Sequence, residues 1–392
     1  MFKSVLSLTL AAALGTASFG QTTLTAVPGE AAAAKYASIS QEILRAIEKG
    51  NEYLKSKQNP EGYWAQPSYP ALTALAVTAY MRDPANQGKP VPEYIRKGYD
   101  FILKSQKEDG SIFNRGMSSY NTAVCMMALL AANKEEYAPA ILKGRAYLIK
   151  QQNHFAPDNP YNGGIGYGDK QAPPIADLSN TSLALEAIYY SQKLAKDGKY
   201  GEQPDLDWNA ATEFINRCQQ NPAVNKEPWV SNDKSQLGGF VYRPGVASAR
   251  DSKSAAFDKA EPPKAYGSMT YAGMQSLIYA NVDKNDPRVK LALKWLENSY
   301  NLDENPGMGV QGLYYYYQAM SKALSAMGID TLTLEDGRKV DWRDELANKL
   351  ISIQKSDGSW VNTNNRWWEA DPVLVTSYCV LALEQLYHSI PR

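Results

Sequence analysis

Two kinds of apolar segment alternate along the chain. One kind is amphipathic: around Tyr53-Leu54, Phe101-Ile102 and Tyr147-Leu148 the apolar residues recur at helical spacing, with Lys and Glu on the other face, the stripe of a half-exposed helix. The other kind is apolar nearly all round, as in Ala71-Leu72-Thr73-Ala74-Leu75-Ala76-Val77. Such a segment predicts a helix covered on every side. The alternation predicts helices in pairs, one outer and one inner.

The pairs repeat. An aromatic–aliphatic pair followed by Gln recurs as Tyr53-Leu54 with Gln58, Phe101-Ile102 with Gln106, Tyr147-Leu148 with Gln152 and Phe214-Ile215 with Gln219. Trp295-Leu296 with Tyr300 and Lys349-Leu350 with Gln354 are degenerate copies. Lys-Gly precedes the first three pairs, at Lys49-Gly50, Lys97-Gly98 and Lys143-Gly144. After the Gln comes a Gly turn such as Pro60-Glu61-Gly62-Tyr63-Trp64 or Ser356-Asp357-Gly358-Ser359-Trp360, where Gly can end a helix and reverse the chain. The second helix then carries Thr and, six residues on, a small residue: Thr73 and Ala79, Thr122 and Ala128, Thr181 and Ala187, Thr270 and Ser276, Thr376 and Ala382. The fifth copy keeps Ala323 but has Tyr317 in the Thr place. Small residues at one register let inner helices approach closely. The expected fold is all-α, an (α/α)6 toroid of six helix pairs in inner and outer rings, occupying residues 39–392 as one domain.

The helix ending in Gln, the Asp-Gly-Ser-Trp turn and the following Thr-x-Ala-Leu-Ala-type helix resemble the repeats of squalene–hopene cyclases and protein prenyltransferase β-subunits. The resemblance runs over roughly residues 40 to 390 by the same repeat logic, and Gln354 through Trp360 is its clearest instance. It implies an α/α toroid with a central pocket for an isoprenoid. The chemistry it implies is only partly present. Bacterial cyclases protonate their substrate with Asp-x-Asp-Asp-Thr; the matching run here is Asp177-Leu178-Ser179-Asn180-Thr181, with Ser at the proton-donating position. A hydroxyl lacks the acidity to protonate an alkene. The prenyltransferase zinc ligands, Asp, Cys and His, find no counterpart. Asp371, Cys379 and His388 are too widely spaced on one helix to share a metal, and His154 stands alone in a loop. Neither metal nor cofactor is expected.

In such a toroid the inner-helix starts and the preceding loops converge on one mouth. The residues expected there as substrate-binding groups are Trp64, Tyr69, Tyr167, Tyr242, Tyr266, Tyr271, Tyr314, Tyr317, Arg366, Trp367 and Trp368. Asp177, Glu369 and Asp371 are the candidate catalytic acids. Asp371-Pro372 and Asp177 also read as helix N-caps. Of the four tyrosines 314 to 317, at most two can aim toward one side of a helix.

Composition sharpens the pocket: 26 Tyr and 8 Trp stand against 8 Phe, side chains with an apolar body and a polar tip. Formal net charge is zero, so no footprint for nucleic acid is visible. Three functional classes follow. One is a protein that binds a small hydrophobic, isoprenoid-like ligand. A second is a carbohydrate-active enzyme, glycosidase or polysaccharide lyase, with Asp177 and Glu369 as acid and base and Arg243 or Arg366 as charge partner. A third is a non-catalytic scaffold. Whether the protein is an enzyme is left open at this level, and it is expected to be a monomer.

The N-terminus bears on location. Lys3, the apolar run Val5 to Leu14 and the small-residue exit at Ser18 to Gly20 read as a signal peptide over 1–20, too short for a membrane span. Residues 21–38 read as a flexible lead-in, and the mature chain as exported, periplasmic or secreted. Cys125, Cys218 and Cys379 form no disulfide framework. The polar stretches 249–264 and 328–339 read as surface loops, and Gly201-Glu202-Gln203 resembles a thioester motif that lacks its Cys, with Tyr200 in that place.

Overall fold

The computed structural model describes residues 28–168, 175–245 and 263–390. The expected signal peptide, most of the 249–264 stretch and residues 21–27 lie outside the described residues. Six helices are outer: α1 (Pro28–Ser56), α3 (Glu93–Lys104), α5 (Ala138–Lys150), α7 (Trp208–Cys218), α9 (Pro287–Asn298) and α11 (Trp342–Ser352). Six are inner: α2 (Pro70–Arg82), α4 (Ser118–Ala131), α6 (Leu178–Ala195), α8 (Gly267–Tyr279), α10 (Leu313–Met327) and α12 (Pro372–Ser389). α1 begins at Pro28, so the helix reaches into the stretch expected as a lead-in.

The inner helices close a ring. α2 packs on α4, α4 on α6, α6 on α8, α8 on α10, α10 on α12, and α12 returns to α2. The outer helices lie against it, α5 in the groove between α4 and α6 and α1 against α12. Burial follows the two sequence patterns. Pro70 through Ala79 of α2 are all buried, whereas α3 buries only Ile95, Gly98, Tyr99 and Ile102. The register residues Ala79, Ala128, Ala187, Ser276, Ala323 and Ala382 are fully buried at the inner ring. The 328–339 stretch carries a small antiparallel hairpin, β1 (Leu332–Thr333) with β2 (Lys339–Val340).

The repeated polar residues are the joints of the ring. The Gln58 side-chain amide donates to Gly62 O (3.0 Å) in its own turn and to Tyr94 O (2.7 Å) at the start of the next outer helix. Gln106 does the same with Gly110 and Ala140, Gln152 with Gly163 and Asp207, Gln219 with Gly238 and Arg288. Gln354 donates to Gly358 O and to Ala46 O on α1, 3.0 Å each, tying the last copy to the first. In the degenerate copy Tyr300 reaches the next outer helix through its hydroxyl, at 2.9 Å from Glu345. A glutamine suits this place because one NH₂ has two donors, one for the turn carbonyl and one for the carbonyl of the next outer helix.

The repeated Thr has an equally definite task. Its hydroxyl accepts from the backbone N–H just beyond the Gly turn: Trp64 onto Thr73, Ile112 onto Thr122, Ile165 onto Thr181, Phe240 onto Thr270, Trp360 onto Thr376, all at 2.8–3.1 Å. Gly358 shows why the turn needs glycine. Its φ is +87°, and a Cβ there would lie 2.3 Å from the Lys49 carbonyl oxygen, so any other residue would be strained and would clash with the α1 backbone.

Candidate functional site

The inner helices all enter from the Gly-turn end, so their first two turns surround a hollow at that mouth. The cavity there has a volume of about 670 Å³, within the range of small-molecule sites. Its walls come from every inner helix: Leu72, Tyr120, Leu183, Met269, Tyr315 and Tyr378 are examples, joined by the loop from Asn365 to Glu369. Nine of the 21 lining residues are tyrosine or tryptophan, and Tyr69 packs on Trp368 in a tilted pair with ring centroids 4.6 Å apart.

Of the expected binding residues, Tyr69, Tyr167, Tyr242, Tyr266, Arg366, Trp367 and Trp368 line the cavity together. Four do not. Trp64 is buried behind its turn and donates Nε1–H to Leu54 O. Tyr271 is fully buried against Tyr316, ring centroids 5.6 Å apart. Tyr314 and Tyr317 share the wrong face of α10 and spend their hydroxyls on Val361 O and Leu302 O. Of the four successive tyrosines it is Tyr315 that faces the hollow. The lining residues missed from sequence had a signal in the repeat register. Tyr120, Ser179, Ser268, Tyr315 and Leu374 each stand two positions before the repeated Thr or its Tyr317 counterpart, the step that turns a helical side chain from the neighbouring turn toward the axis.

The three candidate acids are all helix caps. Asp371 accepts from Val373 N at 2.8 Å at the start of α12. Glu369 is buried and accepts from Tyr315 N (2.9 Å), more distantly from Tyr314 N, and from Asn362 Nδ2 (2.7 Å), so it caps α10 from the next copy. Burial raises its carboxyl above the usual range against these bonds. Asp177 accepts from the Asn180 backbone N–H and from Asn180 Nδ2, both at 2.8 Å. Burial pushes its pKa up to about 6, opposed by Asn180, by the Tyr242 phenol and by the charge of Arg243. Carboxylates in these places also complement the positive ends of inner helices converging on the mouth.

Capping by the neighbouring copy is a rule of this ring. Ala71 N donates to Asn121 Oδ1, Ser119 N to Tyr167 O, Leu178 N to Tyr242 O, Ser268 N to Asn305 Oδ1 and Tyr315 N to Glu369. Asn121, Asn305 and Glu369 supply, from the next copy, acceptors for N–H groups at the helix starts that have no partner within the helix.

The rim stores backbone strain. Met117 (φ 52°), Trp367 (φ 54°) and Trp368 (φ 64°) sit in the left-handed region without being glycine, at a cost of about 1–3 kcal/mol each. All three line the cavity. Two buried polar atoms at the wall lack partners: Asn180 is 2% exposed and its Oδ1 has no partner, and Nε of Arg366 is likewise unpaired. Among the described residues no three His, Cys, Asp or Glu side chains gather as metal ligands, and no helix is long and apolar enough to cross a membrane. The three cysteines are buried and free.

No known protein-family model matches the sequence. Solved structures do. A substituted form of the type II terpene cyclase MstE from Scytonema, in complex with geranylgeranyl dihydroxybenzoate, superposes with a TM-score of 0.52 over 90% of this chain and 99% of that one, at 11% identity. The same cyclase without ligand gives 0.52 over 89% and 99%, at 11% identity. Protein geranylgeranyltransferase-I from Candida albicans, complexed with GGPP, gives 0.52 over 86% of this chain and 90% of that one, at 13% identity. At such identities the likeness is one of fold.

Proposed function

We propose, with the terpenoid cyclase and prenyltransferase toroid as the premise, that the protein binds an apolar, isoprenoid-like molecule in the mouth cavity. The observation that carries this reading is the cavity itself: some 670 Å³ bordered by the starts of the inner helices, with tyrosine, tryptophan, leucine and methionine making up most of its wall and serine, asparagine, Gly312, Arg366 and Glu369 the rest. Covering a hydrocarbon chain there is worth roughly 25 cal/mol per Å², and aromatic faces add dispersion contact. The neighbours solved with geranylgeranyl dihydroxybenzoate and with GGPP share the fold and support the ligand class by analogy alone.

Binding rather than cyclisation is the proposed activity. Ser179 occupies the place of the proton-donating acid, and Asp177, held at about pKa 6 and committed to Asn180, is too weak an acid to protonate an alkene. Glu369 is occupied by its own three donors, which weighs against an acid/base pair of the glycosidase kind.

Titration of the protein with farnesol, read by tryptophan fluorescence, should quench Trp367 and Trp368 at the rim with micromolar affinity, on the order of −8 kcal/mol. Met269→Trp, which fills the cavity, should weaken binding at least tenfold, whereas malto-oligosaccharides should give no response. A flat farnesol titration combined with a sugar response would overturn the reading. We further propose that the chain is exported after cleavage near Gly20. N-terminal sequencing of protein recovered from the cells that make it should begin at or near Gln21, and recovery of an intact Met1 would refute this.

A further inference from the structure

One side chain in the cavity wall holds a strong acceptor with no donor to satisfy it. Asn180, in the first turn of α6, lines the cavity and is 2% exposed, and its Oδ1 has no partner. The rest of the residue is fixed. Its Nδ2 donates to Asp177 Oδ2 and its backbone N–H to Asp177 Oδ1, both at 2.8 Å. Turning the amide over would set its oxygen against the carboxylate, two acceptors facing each other. Asp177 therefore holds the amide with Oδ1 as the spare atom, and a buried carbonyl oxygen is costly to leave without a donor.

Phenols gather beside it. Burial raises the Tyr167 phenol and the adjacent Asn180 amide opposes that shift, yet no hydrogen bond closes on Oδ1. The hydroxyls of Tyr167 and Tyr242 lie 3.4 Å apart, and both residues line the cavity. One place on the wall thus offers a carbonyl acceptor together with phenolic O–H groups. A hydroxyl matches it, giving its proton to Oδ1 and accepting at its oxygen from a phenol. Hydrocarbon and ether have no proton to give.

Charge argues against a phosphate. Among the described lining residues the single cation, Arg366, lies over the Trp367 ring at 5.0 Å and is matched by the carboxylate of Glu369. The Asp177 carboxylate stands directly behind the Asn180 amide. An anionic head at this place would meet an acceptor backed by a carboxylate and leave its own water behind, an expensive exchange.

We infer that Asn180 recognises the polar end of the ligand and that this end is a neutral hydroxyl, so that the protein prefers an isoprenoid alcohol to the hydrocarbon, ether or phosphate of the same chain. The inference rests on the apolar-ligand reading of the mouth cavity and adds the head group to it.

The test compares farnesol, farnesyl methyl ether, β-farnesene and farnesyl diphosphate by tryptophan-fluorescence titration of the wild-type protein and of Asn180→Leu. A thermal melt verifies that the variant folds, and the wild-type comparison decides by itself if it does not. In the wild type farnesol binds at least about tenfold tighter than the other three, because a site that pairs with a hydroxyl rejects the analogue lacking it. In Asn180→Leu farnesol weakens and farnesene tightens, and their ratio falls to about one or below. Wild-type binding in which farnesene matches farnesol, or in which the diphosphate is tightest, would overturn the hydroxyl rule and leave the apolar-ligand reading standing. A farnesol preference that persists in folded Asn180→Leu would remove Asn180 from the role. Absence of binding by all four probes in the wild type would sink both readings.

Discussion

Replacement of Trp360 by Ala is expected to cost about 3–5 kcal/mol of stability, the range for emptying a large buried aromatic site. Trp360 is fully buried and sits where the sixth copy meets the first. Its Nε1–H donates to Leu350 O at 2.8 Å, its backbone N–H is held by Thr376, and its ring lies over Gly50 of α1. Truncation therefore removes packing and a buried hydrogen bond at the seam, and leaves the Leu350 carbonyl without that donor. Urea unfolding should show a midpoint shift to match, with Trp360→Phe losing less because the ring volume is mostly kept. A loss under about 1 kcal/mol would mean that the ring does not depend on its closing joint.

Glu384→Leu is expected to act in the opposite direction. Glu384 lies in α12 among the packed helices, is fully buried, and neither of its carboxyl oxygens has a hydrogen-bond partner. Burial pushes its carboxyl well above 4.5, with Arg82 countering and Asp83 reinforcing the shift. The sign follows from the proton count. The folded protein keeps a proton on Glu384 that the unfolded chain releases, so the folded state binds more protons and stability falls as pH rises from the unfolded value toward the raised folded one. Below about pH 4.5 the penalty is absent. A leucine of similar length removes the unsatisfied group, worth roughly 1–3 kcal/mol. The variant should melt higher than the wild type already at about pH 4, and the gap should widen toward about pH 8 as the cost of keeping the proton is added. A variant less stable than wild type at both values would show that Glu384 has a partner the fold depends on.

Much of the architecture was readable before any coordinate. Both helix patterns, the Gly turns and the Thr and small-residue registers depend on local spacing, and local spacing is what a linear sequence displays. The repeated Gln, Thr and Gly have now acquired tasks: clamping a turn to the next outer helix, receiving the N–H beyond the turn, and passing close to a neighbour's backbone. Tyr300 shows a degenerate copy keeping the task with a different side chain.

The site was legible in part. Aromatic richness and the convergence of loops pointed to the mouth, and seven of the eleven expected binding residues meet there: Tyr69, Tyr167, Tyr242, Tyr266, Arg366, Trp367 and Trp368. The misplaced residues are all aromatic, and sequence cannot distinguish a ring that faces a hollow from one that fills a joint. Trp64 and Trp367 are both tryptophans beside a turn, yet one donates to Leu54 O in the core and the other closes the cavity.

The chain by itself determined the number and order of the helices, which of them would be covered, and where the chain reverses, because these depend on periodicity and on backbone conformations near each residue. Three things were decided only in the tertiary structure. One is the partner of each cap, since Asn121, Asn305 and Glu369 serve helices of the preceding copy. Another is the aim of each tyrosine, set by how far its helix is rotated about its own axis. The last is the meeting of Tyr120, Leu183, Tyr315 and Tyr378 at the hollow, side chains far apart in sequence that come together because the ring brings its inner helices to one axis.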